Sequence, residues 1–359
     1  MKITIVGGGN IGTQFAVHCA EKKHEVTVYT SSPELYDNYI NIVDEVGRTT
    51  HEGIIHLATK DPKEAFEHAE LIIITFPAMM MDRIAGLIYD YGNKNSTIGV
   101  VPGSGGSECA FRKCIERGNT FFGIERVPAI ARLVVKGKTV KSTGYRNELH
   151  IASIPRSEVE KCCGIVKGIF DIQCVAIPNY LNLTLTPSNP ILHTTRLRTI
   201  FKDYHEGVVY PSLPLFYEEW DDASSELLLA CDDEVQNICK ALPQYQLSYV
   251  KSLREHYEST TVEAMTKKIS SIEPFKGLKT PAIAVYGGFI PDLNSRYFTA
   301  DFSYGLSIIK QIAEFIKMKT PYIDDTLLWY QHISKVNDEF IFKRYGIDNS
   351  DAFCEYYLK

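Results

Sequence analysis

The sequence of 359 residues predicts an α/β chain: an N-terminal doubly wound parallel sheet followed by an all-helical C-terminal domain. Three observations carry that expectation. Short apolar runs alternate with helical patterns through residue 124, the rhythm of a parallel sheet wrapped by helices. The chain opens on a strand that runs directly into glycines, "MKITIVGGGNIG". Beyond about residue 184 the alternation stops and long segments of helical period take over. The expected domains are therefore 1–184 and 185–359.

Taken in order, "KITIV" (2–6) reads as a strand, 11–23 as a helix, "EVTVY" (25–29) as a second strand and 33–46 as a helix. A helix over 61–69 has Asp61 as its N-cap and Pro62 at its first position, both favoured there. "LIIITF" (71–76) is continuously apolar, as in a strand buried on both faces. Strands follow at 96–101 and 119–124, with a helix near 107–117 between them. Residues 131–155 alternate around glycine turns and predict an antiparallel hairpin or meander; a helix (158–170) and a strand (171–178) close the domain. The boundary falls near 180–188, in "YLNLTLTPS". The clearest helices beyond it are 217–242, 303–318 and 324–337.

Composition narrows the function classes. Hydrophobic residues make up 45% and charged residues 23%, which is globular rather than disordered. A formal net charge of -6 argues against nucleic-acid binding, which favours a basic face. The nine cysteines are scattered without a CxxC pair, as expected of reduced thiols rather than a disulfide framework or a zinc site. The longest apolar run, 71–81, is too short for a bilayer and contains Pro77. A cytoplasmic protein with no membrane or nucleic-acid partner is expected. No metal is expected either: "HEGIIH" (51–56) resembles a zinc motif only superficially, because its histidines are five apart and would not share a helical face.

Gly7, Gly9 and Gly12 match G-x-G-x-x-G, with Asn10 and Ile11 opening the helix that follows. Between a strand and a helix, this is the phosphate turn of a Rossmann dinucleotide-binding domain. The helix N-terminus supplies amide donors and positive partial charge to the pyrophosphate. At the tip of the second strand an NAD site carries an acid for the ribose hydroxyls; this chain has Thr30, Ser31 and Ser32. Without a carboxylate to repel a 2'-phosphate, NADP(H) is favoured over NAD(H). Pro77 and Ala78 end one strand and Pro102 and Gly103 another, in the row that lines the crevice.

A partner domain must supply acid/base chemistry and hold the substrate's charge. "NPILH" places His193 four residues after Asn189, and "LNSRYFTADFSYGL" holds Arg296 and Asp301. Read alone, a lone histidine favours packing, Arg296 a surface charge and Asp301 a helix cap; catalytic roles stay open beside these. Together with the glycine motif, "FPA" at 76–78, "PGSGG…FRK" at 102–113 and "TPYIDDTL" at 320–327, these segments resemble the octopine/nopaline (opine) dehydrogenase family across almost the whole chain. The resemblance implies NAD(P)H-dependent reductive condensation of an amino acid with a 2-oxo acid, and the reverse. It implies His193 as the proton shuttle, Asp301 as its carboxylate partner and Arg296 as the anchor for the oxo-acid carboxylate. Asn189 would lie near the nicotinamide, and Arg132 is a candidate for a second carboxylate. The partners implied are the two small substrates, with a homodimer left open. Two other readings stand beside it. One is a 2-oxo or 2-hydroxy acid reductase of the ketopantoate reductase type, although "TPSNPILHTTR" lacks the lysine such enzymes use there. The other is a non-catalytic NADP-binding sensor.

Overall fold

The computed structural model describes residues 1–334 and 339–358. The chain forms two compact units, Met1–Leu183 and Thr184–Leu358.

In the first unit the strands are β1 (Lys2–Val6), β2 (Glu25–Tyr29), β3 (Tyr39–Val43), β4 (Thr49–Ile54), β5 (Leu57–Thr59), β6 (Leu71–Ile74), β7 (Thr97–Val100), β8 (Thr120–Ile124), β9 (Ile130–Val135), β10 (Thr139–Thr143), β11 (Glu148–Ile154) and β12 (Gln173–Ala176). Eight form one sheet in the order β12-β11-β8-β7-β6-β1-β2-β5. It is parallel from β8 to β5, while β11 turns antiparallel against β8. All four residues of β6 are buried, which accounts for their unbroken apolar run. The chain order reverses at β1, between β2 and β6, the switch point where such sheets open a crevice at their carboxyl ends.

The first helix, Asn10–Glu21, is buried continuously from Gly12 to Ala20. The reason is a second sheet, β4-β3-β10-β9, packed on its other side. Asn10 Oδ1 accepts the Leu133 N–H at 2.8 Å, and Gln14 donates to Ser142. His18 Nε2 meets the Tyr145 hydroxyl at 2.9 Å. The "HEGIIH" stretch supplies β4, where His51 Nδ1 bonds Glu21 Oε2 at 2.9 Å with its ring 4.5 Å from that of His18. Burial, and then the neighbouring His51, push His18 down to about 3, so it sits neutral against the sheet.

This second sheet corrects the helix expected over 33–46. Only a short 3-10 turn, Pro33–Leu35, forms there, followed by β3. Ile40 and Ile42 alternate into the core, and β3 pairs in parallel with β10, Asn41 opposite Thr139. A partner nearly a hundred residues away overrides local helical spacing. The helix near 107–117 is broken into Ser107–Ala110 and Arg112–Glu116. Asp61 does cap, accepting the Lys63 N–H at 2.8 Å, but its helix is short, Pro62–Phe66.

The second unit is helical, with one hairpin, β13 (Ala282–Val285) and β14 (Gly288–Pro291), that sequence pattern does not announce. The helix expected over 217–242 begins at Asp222, because Asp221 is its N-cap and accepts the Ser224 N–H at 2.8 Å. The segment 303–318 divides into a π turn, Phe302–Leu306, and an α-helix, Ser307–Phe315. The helix Pro321–Ser334 covers most of the expected 324–337; residues 335–337 of that expectation lie outside the described residues. Its N-terminus is capped from another helix: Glu234 accepts the Tyr322 and Ile323 amides at 2.9 and 3.0 Å. Among the described residues no helix is long and apolar enough to cross a membrane, and all nine cysteines are free thiols.

Two substitutions test this packing. A Cβ at Gly12 would lie 1.7 Å from the Gly7 carbonyl oxygen, so Gly12→Ala should cost about 2 kcal/mol or more in denaturant unfolding. An unchanged midpoint would contradict the contact. Asp232 is buried, and burial lifts its carboxyl to about 6, above the ordinary unfolded value. The unfolded chain therefore ionises first, and stability is lost as pH rises through 6. Asp232→Asn, which keeps an acceptor for the Leu253 amide, should gain about 2 kcal/mol at pH 8, and that gain should vanish towards pH 4. A gain that ignores pH would rule the cause out.

Candidate active site

His193 lies in the helix Ser188–Ile200. Pro190 is tolerated in its first turn, where amides lack intrahelical partners. His193 faces inward and is 5% exposed. Its Nδ1 is 2.7 Å from Asp301 Oδ2, and its Nε2 is 2.8 Å from the Tyr217 hydroxyl. Because a carboxylate only accepts, the proton belongs on Nδ1; Nε2 then carries the lone pair and Tyr217 donates to it. The edge of the imidazole meets Tyr297 at a centroid distance of 4.4 Å, with Phe216 at 6.0 Å. Asp301 stands just before the π turn and makes no side-chain cap. What brings it within reach is Gly305, at which a Cβ would lie only 2.8 Å from Pro190 Cγ. A larger residue there would hold the two segments apart.

Tyr217 is placed by Arg196, one turn beyond His193. The Arg196 side chain is fully buried. Nε donates to the Phe216 carbonyl at 2.9 Å, and Nη2 to the Glu219 carbonyl at 2.5 Å. Nη1 donates to Asp221 Oδ2 and Ser224 Oγ, each at 3.0 Å. The guanidinium lies 5.3 Å from the Trp220 ring. Bonding carbonyls on both sides of Tyr217 clamps its backbone. Its ring stacks on Phe275 at 4.2 Å. Burial, and then the neighbouring Tyr297, push the Tyr217 hydroxyl well above the ordinary tyrosine range, so it stays protonated.

Arg296 is exposed, its guanidinium 5.5 Å from the Tyr297 ring. Asn189 is exposed on the His193 helix, one turn earlier and on the same face. Arg132 belongs to β9 of the first unit, where its Nη1 bonds the Ala131 carbonyl at 2.9 Å.

In the first unit the glycine turn fits a dinucleotide. Gly7 takes a φ of +113°, and a Cβ at Gly9 would meet nothing within 4 Å, leaving a cradle. The helix behind it has no side-chain cap and no acid in its first turn, so the amides of that turn are left for an anion. Gly7, Gly9, Ile11 and Gly12 are the residues that would hold the pyrophosphate. The side chain of Asn10 is already engaged with Leu133. At the β2 tip Thr30 is buried and accepts the Ser32 amide at 3.3 Å, while Ser31 is exposed. Lys136, from the β9–β10 turn, donates to Ser32 Oγ at 3.1 Å. Pro77 and Pro102 are exposed and Ala78 is half-buried. Gly103 is not available to a ligand. Its N–H donates to Ile124 O at 2.8 Å and its carbonyl accepts from Tyr180 at 2.8 Å, so it shapes the loop.

The helical region matches the family model of the NAD/NADP octopine/nopaline dehydrogenase alpha-helical domain over residues 176–334. Residues 2–103 match the NAD-dependent glycerol-3-phosphate dehydrogenase N-terminus. An opine dehydrogenase from Haliotis discus hannai is 28% identical and an octopine dehydrogenase from Pecten maximus 24%, each with 98% of both chains covered. The second unit carries the octopine/nopaline dehydrogenase alpha-helical domain, and the chain is similar to opine dehydrogenases along its length. A solved octopine dehydrogenase with NADH and L-arginine superposes at a TM-score of 0.86 over 98% of this chain and 97% of its own, at 23% identity. The opine dehydrogenase fold thus extends through both units. Within it, His193 and Asp301 come together, with Arg296 on the segment that carries Asp301.

Sequence reading missed Tyr217, Arg196 and Lys136. Tyr217 lay inside an expected helix, although the D-x-x-S spacing of Asp221 and Ser224 marks a later start. Lys136 has no sequence signal, since the second sheet alone brings it to Ser32. Arg196→Met leaves buried carbonyls unpaired and should lower stability by about 3 kcal/mol. The melting temperature should fall by roughly 6–12 °C; a fall below about 2 °C would show that the loop holds itself.

Proposed function

We propose that the chain is an NAD(P)H-dependent opine dehydrogenase, which condenses the amine of an amino acid with a 2-oxo acid and reduces the resulting imine, and also runs the reverse. The observation that carries this reading is the buried His193–Asp301 pair, closed at 2.7 Å between segments 108 residues apart. Its chemistry matches the demand. The incoming ammonium must lose a proton, the carbinolamine hydroxyl must gain one to leave as water, and both are moves for an imidazole oriented by a carboxylate on its other nitrogen. Arg296 has its guanidinium exposed for a carboxylate, in keeping with a fork geometry that binds one bidentately. Asn189 contributes an amide on the same helical face as His193. When bound, the nicotinamide supplies the hydride.

NADP(H) is the cofactor this reading favours. The β2 tip carries hydroxyls without a carboxylate, and Lys136 at Ser32 brings the positive charge a 2'-phosphate needs. The solved relative with NADH and L-arginine supports the general chemistry without deciding between the two cofactors.

The test is a matrix of amino acids against pyruvate, oxaloacetate and 2-oxoglutarate, followed with NADPH and NADH separately. Amine-dependent oxidation is expected. Oxidation by an oxo acid alone would favour the hydroxy-acid reductase, and no oxidation in any well the sensor. His193→Ala should lower kcat by about 100-fold or more while leaving the cofactor Kd within about twofold; lost binding with an intact kcat would remove its role. Arg296→Ala should raise the oxo-acid KM by about tenfold or more, the worth of a charged hydrogen bond. Lys136→Ala should weaken NADPH by about tenfold and NADH hardly at all; equal losses would leave the preference without its cause.

A further inference from the structure

The stretch "HEGIIH" plays no part in the chemistry above, yet the fold puts its first histidine beside two other metal-ligating side chains. His51 lies in β4, and Gly53, two residues on, shares its face of the strand. A Cβ at Gly53 would lie 2.5 Å from Ala20 Cβ, so the glycine lets β4 run directly against the first helix. That helix offers His18 and Glu21, three residues apart and therefore neighbours on one face. His51 Nδ1 is 2.9 Å from Glu21 Oε2, and the His18 and His51 ring centroids are 4.5 Å apart. One ligand atom from each of the three residues lies within 4.8 Å of the other two.

Two imidazoles and a carboxylate suit a borderline divalent ion such as zinc, which takes nitrogen at about 2.0–2.1 Å and carboxylate oxygen at about 2.0–2.2 Å. Ligand atoms around one tetrahedral ion at those lengths stand about 3.4 Å apart. Closing on an ion therefore asks only for small side-chain rotations. Glu21 and His51 can make them, since their side chains are 36% and 33% exposed. His18 is the fixed member. It is buried, its Nε2 meets the Tyr145 hydroxyl at 2.9 Å and its ring lies 4.7 Å from that of Phe170. Burial also keeps it neutral, the form in which an imidazole binds a metal. Lys22, a cation that also faces His18, is taken up by Asp171 at 2.5 Å.

We propose that His18, Glu21 and His51 form a binding site for a single divalent transition-metal ion of the zinc class, with water completing the tetrahedron. The ion clips β4 of the second sheet to the far end of the helix that follows the phosphate turn. His18 lies nine residues beyond Gly9, about 13 Å along the helix, so the ion acts on stability and not on hydride transfer. The site is not the helical H-E-x-x-H arrangement that the stretch resembles. Its second histidine, His56, turns instead to Glu25, with Nε2 3.9 Å from Oε1, and takes no part. One histidine comes from the strand, and the other two ligands come from the helix it crosses.

The test uses the full chain, freed of metal with a chelator and then equilibrated with zinc sulfate. After gel filtration it should retain about one equivalent of zinc, as expected of a single three-residue site. It should also melt about 5 °C above the metal-free protein, as when a ligand at about a hundredfold its Kd binds only the folded state. His51→Ala should lose both the retained zinc and the shift. Glu21→Gln keeps an acceptor for His51, should melt as the metal-free wild type does, and should bind zinc at least about tenfold more weakly. His56→Ala should behave as the wild type. Cobalt(II) in place of zinc should give the visible bands of a tetrahedral nitrogen–oxygen site, absent in His51→Ala. Zinc retained in His51→Ala, binding lost in His56→Ala, cobalt bands of thiolate character, or no zinc retained by the wild type would each overturn the site.

Discussion

A guanidinium placed where no water reaches must find its hydrogen-bond partners in the protein, because an unpaired buried charge is far too costly to keep. Arg196 meets that condition by drawing the 215–224 segment around itself, taking carbonyls at Leu215, Phe216 and Glu219 and side chains at Asp221 and Ser224. Three features follow from this one residue. The helix Asp222–Ala241 starts late, with Asp221 shared between capping and pairing. The residues before it stay irregular. Tyr217 is presented to the imidazole one turn back along the helix Ser188–Ile200.

The opposite side of the imidazole is governed by shape rather than charge. Gly305 presses on Pro190 inside a π turn, a widening that often marks functional sites. The approach lets Asp301 span to His193 instead of capping its own helix. With a carboxylate on one nitrogen and a phenol on the other, the ring has a single tautomer and little rotational freedom. Pre-organisation of that kind spares an enzyme reorganisation during the reaction.

The first unit solves a different problem. A phosphate turn needs a rigid helix behind it, and here that helix is gripped between two sheets. The second sheet also carries Lys136 to the β2 tip, so the element that stiffens the cofactor turn also supplies charge beside it. Asn10 and Gly103 look like ligand contacts in the sequence, yet they serve this framework through Leu133 and through Ile124 and Tyr180.

Much of the fold was legible from sequence because its signals are local. A strand running into Gly7, Gly9 and Gly12, the apolar run of β6 and the helical periods of the second half each depend on neighbours within a few residues. The stretch 33–46 misled because its strand partner is β10, and pairing across that distance leaves no mark on local spacing. The same division runs through the site. Sequence alone determined the residue types, His193, Arg296 and Asp301, and the segments that carry them. Tertiary structure decided that Asp301 meets His193, that Arg196 is buried, that Tyr217 extends the pair and that Lys136 reaches Ser32. Each of these is a contact between distant segments, set by how close two backbones can pack and by which buried polar groups must find partners.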